Sequence, residues 1–409
     1  MDNSNITNKH KKECRKQDLF SFRNLLKAYY QCRKRKRKTV NASKFELDFE
    51  NELLRLEKEL TNKTYKIGNS ICFVVTYPTP REIFAADFKD RIVHHLFINH
   101  IEKIWNKKFI HHSYACRKNK GAHEAIKDLR KTLRKISCDF SCPVYYLQVD
   151  ISAFFMSLKK DILFDLICKH LKNPQLLWLA KQIIFHDPTK DFYCKSDKKL
   201  FELIPDHKSL FKVPCRQGLP IGNLTSQFFA NIYMNELDQF AKHNLKIKYY
   251  FRYVDDILII DEDPKQLENW KNQINIFLKT KLEIHLHPKK SKLRSIYKGI
   301  NFVGFIIKPN YLIIRKRTIS NLKRKLWQFN QFFVKKDYII SKNQLEKILA
   351  VINSYYGHFK HANTYNLKKS IYQKHFKKLE KYIVPANENF DYFELKSSHT
   401  TKNSFSKNK

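Results

Sequence analysis

The sequence predicts an α+β protein built from two or three packed units, and three observations predict it. Long stretches carry apolar residues at helical spacing, and short runs of β-branched and aromatic residues stand between them. Two of these runs, 249–260 and 300–315, double back on themselves as antiparallel hairpins do. The 409 residues exceed what one hydrophobic core organises, and a hydrophobic content of 43% excludes wholesale disorder.

Taken in order, residues 1–42 are polar and basic, with an unbroken cationic run from Arg33 to Lys38, and are expected to form an arm. Ser43-Lys44-Phe45-Glu46 has the form of a capping box, and Phe45, Phe49, Leu53, Leu56 and Leu60 predict one amphipathic helix ending near Asn62. Residues 70–77 predict a strand, broken by Pro78 and Pro80, and 90–106 return to a helical period. Residues 144–149 predict a strand that ends at Asp150. Residues 159–185 are mostly helical, 187–214 read as an irregular insertion, and 224–240 predict a helix. Two apolar runs flank paired aspartates within 249–260, a helix covers 264–282, and 300–315 predict a hairpin turning at Pro309-Asn310. Residues 316–384 are helical and basic, and 386–409 predict a polar disordered tail.

Composition narrows the function. Lys and Arg total 79 against 39 acidic residues, a formal net charge of +40. Such a surface attracts polyanions and releases their condensed counterions, so nucleic acid is the expected partner. Codon bias toward AT-rich DNA also enriches Lys, but it does not leave the acidic side so far behind. The nine cysteines form no CxxC pair, which argues against a zinc site and a disulfide framework. No apolar stretch is long enough for a membrane span, and the N-terminus lacks a signal-peptide core, so a cytoplasmic, membrane-free protein is expected. The histidine pairs lack the spacing of a metal site and are read as packing or phosphate contacts.

The chemistry centres on Tyr253-Val254-Asp255-Asp256. Adjacent carboxylates between apolar runs are costly unless a cation compensates them. At a tight turn at least Asp255 can aim at the space occupied by Asp150, which ends its own strand. Carboxylates across neighbouring strands suit Mg²⁺, which keeps waters and takes further ligands from substrate phosphates. Two such ions serve phosphoryl transfer, one activating a primer 3′-hydroxyl and the other holding the triphosphate. Asp150, Asp255 and Asp256 are therefore the expected catalytic and metal-binding residues, with Ile151 counted in the metal set and Mn²⁺ a possible substitute for Mg²⁺.

Tyr253 to Asp256 is similar to the C motif of reverse transcriptases. Val149-Asp150-Ile151-Ser152-Ala153-Phe154-Phe155 resembles their A motif, and Arg216-Gln217-Gly218-Leu219-Pro220-Ile221-Gly222-Asn223-Leu224-Thr225-Ser226-Gln227 their B motif. Segments 81–93 and 113–117 resemble two fingers motifs, 286–291 motif D, and Phe302-Val303-Gly304-Phe305 the primer grip. The resemblance implies a right-hand polymerase. After the basic arm (1–42) it places fingers over 43–143, an antiparallel palm over 144–310 with an inserted segment 159–214, a helical thumb over 311–385 and the tail over 386–409. It implies an RNA-directed DNA polymerase that takes an RNA template, a DNA or RNA primer and deoxynucleoside triphosphates.

It also implies residue roles. Phe155, five residues after Asp150, stands at the sugar gate, though in a chain with 32 Phe it is also readable as a core residue. Gln217 and Gly218 open the segment against the incoming base pair, with Gly allowing close backbone approach. Arg117, and with it Lys89 or Arg91, would neutralise the triphosphate. Lys290 would either protonate pyrophosphate or sit on the backbone. Leu224, Phe228 and Ile232 are plain core packing.

Ile221, Gly222, Asn223, Ser226 and Gln227 replace the Ser-Pro ending of most bacterial relatives and look like diversity-generating retroelements, as does 353–361. That likeness implies a bacterial or phage-encoded enzyme that misincorporates opposite template adenines. It also implies a small basic accessory protein and a structured non-coding RNA as partners. An antiphage-defence reverse transcriptase carries nearly the same motifs. A non-catalytic RNA-binding scaffold is disfavoured because the acidic set remains complete.

Overall fold

A computed structural model describes residues 19–34, 39–332 and 341–396. It is of the expected α+β class and divides into two compact units. The first comprises residues 1–118, 148–259 and 268–291, and the second 119–147, 260–267 and 292–409.

The first unit is organised on helix Phe88–Asn106, whose Ile92, Val93, Leu96, Phe97, Ile101 and Trp105 are all buried. Helix Phe22–Arg33 packs on it through Leu25, Ala28, Tyr29 and Cys32. This corrects the reading of 1–42 as an arm. The i, i+3, i+4, i+7 spacing of those four residues is a buried stripe that basic neighbours had masked. Residues 1–18 and 35–38, which hold most of the cationic run, lie outside the described residues.

The single helix expected to 62 is two, Val40–Leu47 and Phe49–Thr61, broken at Asp48 with φ −139° and ψ 39°. Ser43 lies inside the first, its N–H bonded to the Thr39 carbonyl, and Thr39 rather than Ser43 occupies the N-cap position. The break brings Phe45 and Phe49 to Tyr29, with ring centroids at 5.8 and 5.1 Å.

Strand Ser70–Val75 pairs antiparallel with Arg81–Ala85, a strand the sequence reading did not assign. The insertion expected to be irregular supplies a third, Phe192–Cys194, which runs parallel to the first. Short 3-10 turns follow it. Helix Leu224–Gln239 is buried nearly all round, which explains its weak amphipathic pattern. Phe228 and Ile232 are core as expected, while Leu224 is half-buried.

The central four-stranded sheet has the order 249–253, 256–261, 145–149, 292–295. Within the hairpin Tyr249–Tyr253/Asp256–Asp261, residues 257–260 are completely buried. A run so apolar needs both faces covered.

In the second unit, helix Ala122–Ile136 buries Ala125, Ile126, Leu129, Leu133 and Ile136. Residues 300–315 form three antiparallel strands, Ile300–Phe302, Phe305–Ile307 and Leu312–Ile314, where one hairpin was expected. The extra turn is Val303-Gly304, both at positive φ (40° and 97°), the signature of a two-residue type I′ connection. Helices Lys316–Gln331, Lys342–Phe359 and Tyr365–His375 follow.

The expected disordered tail is corrected in its first part. Ile383–Pro385 and Phe393–Leu395 pair antiparallel, and Phe393 is buried with its ring 4.9 Å from Phe376 and 4.6 Å from Tyr356. Asn353 exchanges two hydrogen bonds with the Phe393 backbone, at 2.9 and 2.7 Å. One aromatic anchor and one amide clamp thus order a segment whose composition reads as tail. Residues 397–409 lie outside the described residues. Among the described residues no helix is long and apolar enough to cross a membrane.

Candidate active site

Asp150 is delivered by the end of strand Tyr145–Val149. Its carbonyl accepts from the His287 N–H at 2.7 Å, and the Ser152 N–H donates to the His285 carbonyl at 2.9 Å. This two-bond bridge fixes the strand end to residues 285–287, three positions before Lys290. The Lys290 ammonium lies 2.5 Å from Asp150 Oδ2.

Asp255 comes from the hairpin turn. Val254 there has φ +58°, a left-handed conformation that a β-branched residue holds only at a cost of about 1–2 kcal/mol. The Asp255 carboxyl is pushed up to about 7. Burial is the chief cause, then the negative charge of Asp150 and a hydrogen bond between the two carboxyl groups. Asp256 is oriented differently, accepting from Gln148 Nε2 at 2.9 and 3.2 Å. The structure therefore joins Asp150 directly to Asp255 and holds Asp256 through Gln148.

The donor set fits a divalent cation. Burial, and after it the neighbouring Asp150 charge, holds a proton on Asp255 near neutrality, and an ammonium already sits against Asp150. Such a site gains from a hard cation with oxygen ligands. Ile151, its side chain buried, can offer a metal only its carbonyl oxygen.

Sequence reasoning missed Arg252. It is fully buried and pairs with the equally buried Asp238 through Nε–Oδ1 at 2.7 Å and Nη2–Oδ2 at 2.6 Å. Its remaining donors reach the Val254 carbonyl (3.0 Å), Asn231 Oδ1 (3.2 Å) and Ser113 Oγ (3.0 Å). One guanidinium thus ties the strained aspartate turn to helix Leu224–Gln239 and to segment 113–117. Asn231 continues the network by donating to the Ala115 carbonyl at 2.7 Å. The available signal was a lone Arg inside an otherwise apolar strand, which demands a buried partner.

Phe155 is half-buried, while its neighbour Phe154 is core. The Phe155 ring rests on the cluster of Cys72, Phe84, Met156 and Leu210. Gln217 is anchored at both ends of its amide, Nε2 to the Met156 carbonyl at 3.1 Å and Oε1 to Lys159 Nζ at 2.9 Å.

Gly218 has φ +82°, and a Cβ there would lie 2.8 Å from the Leu210 side chain and 3.0 Å from Val213. Its smallness serves close contact with the 187–214 insertion. Gly222 (φ +125°) is confined in the same way: a Cβ there would lie 2.7 Å from the Ile83 side chain and 3.2 Å from the Phe84 carbonyl oxygen. The Ile221 carbonyl accepts from Phe84 N–H at 2.9 Å, and Asn223 Oδ1 accepts from Ala86 N–H at 3.0 Å. Ser226 is buried, and Gln227 Oε1 accepts from the Cys116 thiol at 3.3 Å. Residues 221–223 thus dock on strand Arg81–Ala85.

The three cations assigned to the triphosphate each have protein partners. Arg117 Nη1 donates to the Ile110 and Ser113 carbonyls, both at 2.8 Å. Lys89 lies 3.5 Å from Glu59, and Arg91 Nε donates to the Ala86 carbonyl at 2.7 Å. The residues expected to form the primer grip belong to the second unit. Phe302 and Phe305 are fully buried partners across the Val303-Gly304 turn, and the Phe305 ring lies 4.4 Å from His358.

A family model described as "Reverse transcriptase (RNA-dependent DNA polymerase)" matches residues 78–307, more than half of the chain. Protein YkfC of Escherichia coli is 22% identical over 270 residues, covering 58% of this chain and 64% of that protein. Group II intron-encoded protein LtrA of Lactococcus lactis is 21% identical over 408 residues, covering 74% and 64%. Among solved structures, apo telomerase from Candida tropicalis aligns with a TM-score of 0.44 at 14% identity, covering 76% of this chain and 58% of that one. The chain spans less than two thirds of the length of these relatives. The motif order, the paired acidic strands and the match across residues 78–307 together establish that this chain belongs to the reverse transcriptase family.

Proposed function

We propose that this protein copies an RNA template into cDNA, with Asp150, Asp255 and Asp256 as the acidic set of a two-metal phosphoryl transfer. The supporting observation is the Asp150–Asp255 pair: burial, reinforced by the charge of Asp150, pushes Asp255 up to about 7, and the Lys290 ammonium lies 2.5 Å from Asp150 Oδ2. Bound Mg²⁺ ions supply charge for the attacking and leaving oxygens. The residues of the chain do the rest. Asp150 and Asp255 would hold an ion, Asp255 then losing its proton to solvent; Gln148 holds Asp256 in place, and Lys290 is the cation against Asp150. Phe155 stands at the rim of its cluster, where a ring excludes a ribose 2′-hydroxyl.

Primer extension on RNA with Mg²⁺ and deoxynucleotides tests this reading. Wild type extends, and Asp255→Asn loses at least a hundredfold in rate; equal rates would refute it.

The finer reading is diversity-generating retrohoming with frequent errors at template adenines, a basic accessory protein and a structured RNA. Its support is the 221–227 segment, which docks on strand Arg81–Ala85 where a changed contact shifts the wall beside Phe155. Changing Ile221 or Gln227 should alter misincorporation opposite adenine more than opposite other bases. A uniform change across the four would sink this subtype.

A further inference from the structure

The second unit carries a cluster of cations on one helix. Helix Ala122–Ile136 turns its apolar face inward and presents His123, Lys127, Arg130, Lys131 and Arg134 on the other side. These residues line a recess of about 330 Å³, open to solvent. His361 closes one end, its ring stacked on His123 with centroids 3.6 Å apart. Lys127 has a weak contact with Glu124 at 3.5 Å on its own helix. Among the described residues no carboxylate lies within ion-pair distance of Arg130, Lys131 or Arg134. Most surface cations of a folded protein pair with something or stand alone; four that converge on one recess raise the local potential together.

We infer that this recess of the second unit is a nucleic-acid site, which grips the phosphodiester backbone of an RNA strand. From residue 123 to 134 the helix rises about 16 Å at 1.5 Å per residue. Successive phosphates on one strand of a duplex advance about 3.4 Å along the axis, so the stripe meets about five of them. A mononucleotide or free phosphate would leave most of the stripe unused. A membrane surface would want an exposed apolar face, and the apolar face of this helix is consumed by packing. RNA is preferred to an acidic protein because a phosphate backbone carries one charge per residue at regular spacing. That preference rests on the reverse-transcriptase reading of the chain.

The test uses the full-length protein with Lys127, Arg130, Lys131 and Arg134 all changed to Gln, titrated with a long hairpin RNA between about 50 and 200 mM salt. Each lost phosphate contact removes about 0.9 from the log–log salt slope, so the slope should fall by about 3 to 4 and affinity at least tenfold. An unchanged slope would overturn the site. Lysine acetylation of the wild-type protein gives an independent reading that does not depend on the variant folding. RNA should protect Lys127 and Lys131, and poly-glutamate should not. Equal protection by both polymers would overturn the RNA assignment, and protection by neither would overturn the site. Wild-type primer extension serves as the control: if it proceeds while the slope is unchanged, this inference alone fails. If wild type neither extends a primer nor binds RNA, the polymerase reading fails with it.

Discussion

Replacing Arg252 by Met separates the stability of the aspartate turn from its function. Arg252 and Asp238 are both fully buried and bonded in two places. Removing one member of such a pair leaves a buried charge and costs about 3–5 kcal/mol, a large share of the 5–15 kcal/mol that holds a typical domain. Changing Asp238→Asn in the same chain removes the stranded charge and keeps an acceptor for the Tyr250 hydroxyl, now 2.9 Å from Asp238 Oδ1. The double variant should therefore recover to within about 1–3 kcal/mol of wild type, the residual being unmade hydrogen bonds. Activity should not recover with it. The bond from Arg252 to the Val254 carbonyl is charge-assisted and worth about 1.5–3 kcal/mol, and nothing replaces it in either variant. If that bond holds Asp255 in register with Asp150, its loss lowers kcat about ten- to a hundredfold. Urea unfolding gives the first quantity, and primer extension at saturating substrates the second. If the double variant regains both stability and wild-type kcat, Arg252 only offsets a buried charge and the positioning argument is wrong. If the single variant loses less than about 1 kcal/mol, the pair is not desolvated as described.

Two further outcomes follow from the site. Phe155→Val should admit ribonucleotides, raising the ribo-to-deoxy incorporation ratio about ten- to a hundredfold, since one steric contact is worth about 1–3 kcal/mol; steady-state kinetics with the two nucleotide classes would read it, and an unchanged ratio would remove the gate role. Asp255 has a folded pKa of about 7 against an unfolded value near 3.9. A carboxyl raised in this way costs the metal-free fold stability as pH climbs from about 4 through 7, so without Mg²⁺ Asp255→Asn should melt a few degrees above wild type at pH 8. The gap should close toward pH 4 and shrink when Mg²⁺ is added to wild type, and a gap independent of pH would show that Asp255 does not titrate in this window.

The hydrophobic period and the flanking turn residues placed most elements to within a few positions. Helices 90–106 and 224–240 and the strands around Asp150 and Asp255 lie where the sequence puts them. The failures have physical causes. Residues 22–33 carry a core stripe hidden among basic residues, and the break at Asp48 serves packing on Tyr29, which no local pattern reports. The hairpin Ile383–Pro385/Phe393–Leu395 exists because Phe393 finds a pocket between Tyr356 and Phe376. The protein contacts of Gly218, Arg117, Lys89 and Arg91, such as Lys89 with Glu59 and Gly218 against Leu210, were likewise not legible, because they arise only when the elements pack.

By itself the sequence determined the chemical kind of this protein: its charge, its acidic set and the order of its motifs are properties of the chain and survive any folding. Only the tertiary structure decided which acid meets which. Asp150 and Lys290 are 140 positions apart, and Arg252 reaches Asp238 from a different element. Helical and strand periods report which face of an element is buried, and they carry no information about what lies against that face. The match of buried charge to buried charge is settled when the elements pack.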